Sequence, residues 1–432
     1  MSIKLKAIEL LREYRKGKYS NILLGEFFKK NTFSQGEKRF LTEVFYGVIR
    51  NEIFLDYMID KRVKSIKKDW MKELLRISIY QLTFMKSDES GVVWEGTELA
   101  KKKFGVPVGK FMNGVLRGYI REKDADVAFL KSEGKLDILY SCPIWFFKVV
   151  EKKYGENAEK FLQSIKSVPY ISFRVNKLKY SEDEFEKLLE REKISIIKKV
   201  ETVYYVDSGS LLSSPEFKEG KITVQDAASY LAAKNLNALP NEEVVDACSA
   251  PGGKSAVLAE SMKNKGEVLA FDIHTHKLKL IDENCKKLGI EIVKTVKMDA
   301  RKLVFQGKKF DKILVDAPCS GYGVLRKKPE ALYNKNQESI DELSKLQYEI
   351  LESASEVLKV NGDLIYSTCT ITDEENIDNV AKFLKEHPNF VGVKPEIPEN
   401  VKGNFDKFGG FQIDYNEEVL DSFYIIKLHK KY

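Results

Sequence analysis

Long apolar runs are missing from this sequence, and a membrane span is excluded with them. No stretch approaches the roughly 18 residues a span requires. The first twenty residues, MSIKLKAIELLREYRKGKYS, also lack the apolar block of a secretory signal. Cysteine is sparse: five residues (142, 248, 285, 319 and 369), scattered and odd in number. That argues against a disulfide framework and fits a reducing compartment. With four histidines and no CxxC pair or Cys/His cluster, no metal centre is expected. His274 and His276 share one turn and read as solvated surface. Pro, Gly, Ser and Gln form no tracts, which leaves no long disordered region. A soluble, cytoplasmic protein is the expectation.

What is present is a globular composition, 43% hydrophobic and 32% charged, over 432 residues. Single cores stop growing at about 250 to 300 residues, so two or three domains are expected. Charge is uneven: residues 1–122 carry 25 Lys and Arg against 15 Asp and Glu, while the whole chain is only +7. A basic end is a footprint of polyanion binding. Composition alone serves a solvated helical surface equally well.

Residues 1 to about 122 read as helices, because apolar residues recur at helical spacing in AIELLREY, RFLTEVFYGVIR, WMKELLRISIYQLTFM and KFMNGVLRGYI. The pattern loosens over 123–140, which reads as a linker. A small α+β module follows over 131–221, with helical WFFKVVEKKYG and EDEFEKLLEREK beside strand candidates YISFRVNKL and TVYYVDS. Over 222–432 apolar strands alternate with helices: EEVVDACS, GEVLAFDI, IVKTVKMD, FDKILVDAP, GDLIYSTC and SFYIIKLHK. That alternation predicts a mostly parallel, Rossmann-like α/β sheet with ligands beyond the C-terminal strand ends.

Chemistry concentrates at those ends. The first strand runs into Asp246-Ala247-Cys248-Ser249-Ala250-Pro251-Gly252-Gly253-Lys254, where two glycines at a strand-to-helix turn let backbone N–H groups approach a ligand. A phosphate-loop reading fails, since that spacing requires glycine where Cys248 stands. Asp272 closes the second strand 19 residues past Gly253, near the offset at which an acid takes ribose hydroxyls. Two further strands end in Asp316-Ala317-Pro318-Cys319-Ser320-Gly321 and Ser367-Thr368-Cys369-Thr370. A lone strand-end cysteine is more often a small buried hydrophobe. Two of them, each in a polar turn above one crevice, point instead to nucleophilic chemistry at C6 of a pyrimidine. Cys142 and Cys285 lack such a setting and read as structural.

DACSAPGGK, DAPCSGYGVLRKKP and GDLIYSTCTITDEEN resemble, in family order, the cofactor loop, proline-cysteine motif and threonine-cysteine motif of the RNA cytosine-C5 methyltransferases. ITVQDAASYLAA resembles the entry motif of the same superfamily. EVFYGVIR, YQLTFMKSDESGVVWEGTELAKK and FMNGVLR are similar to the NusB-like helical domain of its RsmB (Sun/Fmu) branch, and YSCPIWFFKVVEKKYG with FRVNKL to its RRM-like module. The resemblance covers essentially the whole chain. It implies a NusB-like all-helical RNA-binding domain at 1–130, an RRM-like module at 131–221 and a class I methyltransferase domain at 222–432.

The resemblance further implies S-adenosylmethionine as cofactor, wrapped by Cys248, Ser249, Ala250, Pro251, Gly252, Gly253 and Lys254, with Asp272 on the ribose and Asp299 at the adenine. Cys369 is the implied nucleophile and Cys319 the residue that assists release. Asp316 and Lys254 are implied contacts of the flipped cytosine, Asp316 also beside the cofactor. Arg326 and Pro329 would shape the target side, and Arg50, Arg117, Arg174 and Arg326 are expected RNA contacts. The implied substrate is small-subunit rRNA, naked or early in assembly, at the cytosine usually numbered 967, modified by a monomeric enzyme without metal. Another rRNA or tRNA cytosine-C5 methyltransferase of the superfamily is the alternative. A DNA enzyme would use the proline-cysteine motif alone. A protein or small-molecule methyltransferase would leave both cysteines idle, and a non-catalytic NusB-type assembly factor would make every catalytic motif a relic. Helix N-termini or Lys254 would favour the Cys369 thiolate; no residue is assigned to the C5 proton. The family commonly closes its sheet with DGFF, where this chain has Asp421-Ser422-Phe423-Tyr424, and the missing glycine bears on the backbone path there. Residues 403–420 match the family pattern poorly.

Overall fold

A computed structural model describes residues 2–66 and 68–432 and divides into two compact units, Met1–Lys166 with Lys328–Asn334, and Ser167–Lys327 with Lys335–Tyr432. Among the described residues no helix is long and apolar enough to cross a membrane.

The first unit is helical. Its centre is the helix Asp69–Phe84, whose residues from Trp70 to Leu82 are nearly all buried. Its charged members are buried as partners, Arg76 reaching Asp56 at 2.7 Å and Glu73 at 2.6 Å. Helix Gln35–Arg50 begins at a capping box in which Ser34 and Glu37 satisfy each other's backbone N–H. It lies so close to the central helix that a Cβ on Gly47 would stand 2.0 Å from Tyr80 Cζ. The linker expected over 123–140 is mostly helix, since Val106–Ser132 runs unbroken through 27 residues. Its polar sequence misleads because Asp126 is buried and paired with Lys61 and Arg62, at 2.5 Å each. Residues 131–166, read as the start of the α+β module, also belong to this unit, as does Pro329 in the short turn Pro329–Leu332. Glu330 of that turn accepts a hydrogen bond from Ser20 Oγ at 2.5 Å.

The second unit holds two sheets. Strands β1 (Ile171–Val175), β2 (Ile196–Val200), β3 (Val203–Val206) and β4 (Ile222–Val224) pair antiparallel in the order β2-β3-β1-β4. Helix Glu182–Arg191 contributes Phe185, Leu188 and Leu189 to the core of this sheet. The larger sheet contains β5 (Glu243–Asp246), β6 (Glu267–Asp272), β7 (Val293–Lys297), β8 (Phe310–Asp316) and β9 (Leu358–Thr368), parallel in the order β9-β8-β5-β6-β7. Every strand expected here is found. Four antiparallel strands extend the sheet beyond β9: β10 (Phe390–Val393), β11 (Gly403–Phe405), β12 (Phe411–Ile413) and β13 (Phe423–Lys430). Three of these run only three or four residues, too short for an alternation signal. Strand order reverses between β5 and β8, which opens a crevice above their C-terminal ends.

Candidate active site

At the end of β5 the chain must turn sharply into the helix Gly253–Ser261. Ser249 fixes the turn by donating both its backbone N–H and its Oγ to Phe271 O of β6, each at 2.9 Å. Gly252 stands at φ +95°, and a Cβ there would lie 3.2 Å from Ile281 Cα, so both conformation and space favour glycine. Below the turn Asp246 is fully buried and accepts from Ser255 Oγ at 2.7 Å, while its Oδ1 is left without a well-formed hydrogen bond. Burial pushes this carboxyl up to about 6, against the Ser255 hydrogen bond and Lys254. Burial likewise raises the Cys248 thiol, with Asp246, Asp316 and Asp272 adding to the effect. Cys248 is therefore a protonated lining residue and a poor nucleophile. Asp272, at the tip of β6, accepts from His274 N at 2.8 Å. Asp299 faces Arg301, whose Nη2 is 2.7 Å away and whose hydrogen bonds hold the carboxyl below its usual range.

Across the switch point, Asp316 at the tip of β8 pairs with Lys254 Nζ at 2.7 Å and accepts from Ser367 Oγ at 2.9 Å. Burial alone would lower the Lys254 pKa; Asp316, then Asp246 and Cys369, outweigh it and hold it above the ordinary value. Its ammonium also lies 5.6 Å over the Phe423 ring. The loops after β8 and β9 bring Cys319 Sγ to 3.2 Å from Cys369 Sγ, with Cys369 N–H directed at Cys319 Sγ at 3.3 Å. Two thiols, an ammonium and a carboxylate thus converge beside a glycine-rich turn. Such a set suits addition of sulfur to an electrophilic ring carbon next to a bound nucleoside. Cys142 and Cys285 are buried elsewhere, both thiols pushed up to about 12 by burial. His274 and His276 are exposed, and among the described residues no His, Cys, Asp or Glu group is placed to hold a metal.

Three of the four arginines expected at RNA are turned inward. Arg174 is fully buried, its Nε 2.6 Å from Gln225 Oε1 and its Nη1 on Glu260. Arg326, 8% exposed, donates to the carbonyls of Glu418 and Leu420. Arg50 is buried in the helical unit. Such guanidiniums brace the fold, and Arg117 alone of the four is exposed.

Sequence reasoning gave no role to Asp226, Lys327 or Asp421, yet Lys327 Nζ bridges the two carboxylates at 2.7 Å each. Nor did it separate Glu375 from its motif. Glu375 is a fully buried acid reached by both cysteine loops. Residues 403–420 acquire a place too: Gln412 on β12 accepts from Asn376 Nδ2 at 3.0 Å, and Asn376 accepts from Thr368 Oγ1 beside Cys369. The only available signal was a run of polar residues directly after an apolar strand.

Comparison with known proteins places the chain in a family. The family described as 16S rRNA methyltransferase RsmB/F matches residues 233–429, the NusB family residues 1–121, and the N-terminal domain of 16S rRNA methyltransferase RsmF residues 142–227. A probable ribosomal RNA small subunit methyltransferase B from Bacillus subtilis is 37% identical over 96% of this chain and 95% of its own length. The crystal structure of PH0851 superposes with a TM-score of 0.82 at 30% identity, covering 100% of this chain and 99% of that one. A methyltransferase homolog from Pyrococcus horikoshii superposes at 0.61 and 27% identity, over 68% of this chain and 98% of its own. The chain belongs to the 16S rRNA methyltransferase RsmB/F family and is an S-adenosylmethionine-dependent methyltransferase with a NusB-type helical domain.

Proposed function

We propose that the protein methylates C5 of a cytosine in small-subunit rRNA through a transient bond between Cys369 and C6. The observation that carries this reading is the pair of sulfurs 3.2 Å apart above adjacent parallel strands, beside the Lys254–Asp316 pair. The resemblance extends the proposal to the cytosine usually numbered 967, to naked or early-assembly rRNA, and to a monomeric enzyme acting in the cytoplasm.

The residues present fit the cofactor. Asp246 Oδ1 is a buried acceptor with no good donor of its own, as a cationic amino group requires. The first turn of the helix that starts at Gly253 offers backbone N–H groups, and Asp272 offers a carboxylate to ribose hydroxyls. When bound, the cofactor supplies an electrophilic sulfonium methyl group.

The target base must leave its stack to reach the crevice. Lys254 and Asp316 are assigned to orienting it. Cys369 gives a sulfur electron pair to C6, which makes C5 nucleophilic towards the methyl group. C5 then loses its proton, the C6–S bond breaks with its electron pair returning to Cys369, and aromaticity is restored. Cys319, in contact with the Cys369 sulfur, is assigned to this second half.

Bisulfite sequencing of small-subunit rRNA is expected to show one cytosine protected in cells that have the gene and converted in cells that lack it. Purified protein should methylate naked small-subunit rRNA and leave duplex DNA unmodified. Equal protection with and without the gene would remove the rRNA assignment.

Asp272→Ala should weaken S-adenosylmethionine binding by about 1 to 3 kcal/mol, the penalty for leaving hydrogen-bonding groups unpaired. Calorimetry on the whole protein reads this directly. An unchanged affinity would mean that the ribose does not lie along the end of β6.

A further inference from the structure

Two thiols in contact do not both ionise, so the reaction needs the single negative charge on the correct sulfur. Cys319 and Cys369 have similar access, and what separates them is the charge nearby. Glu375 lies beneath both loops, 0% exposed. Its Oε1 accepts from Ser320 N and Gln347 Nε2, both at 2.8 Å, and its Oε2 from Ser320 Oγ at 2.5 Å and Thr372 Oγ1 at 2.6 Å. All four donors are neutral. They anchor the carboxylate without cancelling its charge, and one chain position from Ser320 stands Cys319.

The other groups around Cys319 do not provide this bias. Asp316 is paired with Lys254 at 2.7 Å, and that ammonium interacts with Cys369. Lys335 brings a cation to the loop, but its Nζ sits on the carbonyl oxygens of Cys319 and Ser320. Tyr366 is a neutral phenol donating to Glu375 O at 2.5 Å. We propose that Glu375 is a positioning residue that sorts the charge of the cysteine pair, disfavouring ionisation of Cys319 and leaving the thiolate to Cys369 on the Lys254 side. This rests on reading the two cysteines as the reacting pair. In agreement, Cys319 is held well above the ordinary thiol range, by its hydrogen bond with Cys369 first, then by burial, and then by the charges of Cys369, Glu375 and Asp316.

The charge arrangement also suits the second half of the cycle. A thiol kept protonated cannot compete for C6, and once Cys369 is bound to carbon the Cys369 charge that helps to hold Cys319 protonated is gone.

The test titrates each thiol in the full-length protein, following alkylation by iodoacetamide against pH by peptide mass spectrometry. In Cys369→Ala, Cys319 should alkylate half-maximally at a higher pH than a free thiol, which titrates at about 8.5. Cys369 in Cys319→Ala should do so at lower pH. Adding Glu375→Gln to Cys369→Ala should move the Cys319 curve down by about one pH unit or more, as expected when a nearby buried charge is removed. Glu375→Asp, which keeps the charge, should leave it close to the parent. The amide is nearly isosteric, and both hydroxyls facing Oε2 can reverse their hydrogen bonds; retained S-adenosylmethionine binding verifies the fold. An unmoved Cys319 curve in a folded Glu375→Gln protein overturns the proposal. If that variant does not fold, the parent curves decide: Cys319 titrating at or below Cys369 overturns it equally. Failure of the cysteine mechanism looks different, because methylation would then survive in Cys369→Ala whatever the thiol curves show.

Discussion

Cys369→Ala protein is expected to form no covalent complex with RNA and no methylated product, whereas Cys319→Ala protein is expected to attack and then stall. The two sulfurs touch, so proximity does not distinguish them; the step each serves does. Without Cys369 no sulfur adds to C6, C5 stays unactivated, and both adduct and product vanish. Without Cys319 the nucleophile keeps its anchors, Gly323 N–H on Cys369 O at 2.9 Å and the pairing of Thr368 with Tyr424 on β13. Addition and methyl transfer should proceed, and elimination should slow. Incubated with small-subunit rRNA and S-adenosylmethionine, the Cys319 variant should yield a slow-migrating species on denaturing electrophoresis that ribonuclease removes. Wild type should show little of it because it turns over. A stable adduct in the Cys369 variant instead would exchange the two roles. Methylation intact in both variants would eliminate cysteine chemistry.

Much of this arrangement is legible in the sequence, for an identifiable reason. Strands β5, β6, β8 and β9 are apolar runs that stop at Asp246, Asp272, Asp316 and Thr368, and a parallel sheet gathers its strand ends on one side. Residues far apart in the chain, such as Cys319 and Cys369, are brought together by that rule alone. Orientation is less legible. Arg174 sits on a short strand buried on both faces, between the core residues Phe173 and Val175, and nothing local reveals that Glu260 and Gln225 wait there to satisfy it. The segment around Asp126 reads as a polar linker because its pairing with Lys61 and Arg62, far away in the chain, leaves no periodic trace. Strands β10 to β12 are too short to show alternation at all. The Asp421-Ser422 departure from the family pattern proves harmless to the backbone, since Ser422 is not among the residues with positive φ and its N–H reaches Gly323 O at 3.1 Å.

That contact explains a glycine whose role only the structure reveals. A Cβ on Gly323 would stand 1.9 Å from Ser422 O and 2.9 Å from Cys369 O. Neither neighbour is free to retreat: Ser422 leads into β13, which pairs with β9 from Tyr424 onward, and Cys369 directly follows β9. Gly323→Ala must therefore part the hydrogen bonds Gly323 N to Cys369 O and Ser422 N to Gly323 O. Overpacking of this kind costs about 1 to 3 kcal/mol, a fall in melting temperature that a chain of this size survives. The effect on rate should be much larger, because displacing a nucleophile by about 1 Å can cost about 100-fold. We expect kcat to fall by about two orders of magnitude. S-adenosylmethionine affinity should change little, since Gly252 and Asp272 lie above β5 and β6 on the other side of β8. Calorimetry with the cofactor and single-turnover methyl transfer on the same preparation separate the two effects. Equal losses of cofactor binding and rate would mean that the alanine disturbs the whole crevice, and an unchanged rate would show that the position of Cys369 does not depend on Gly323.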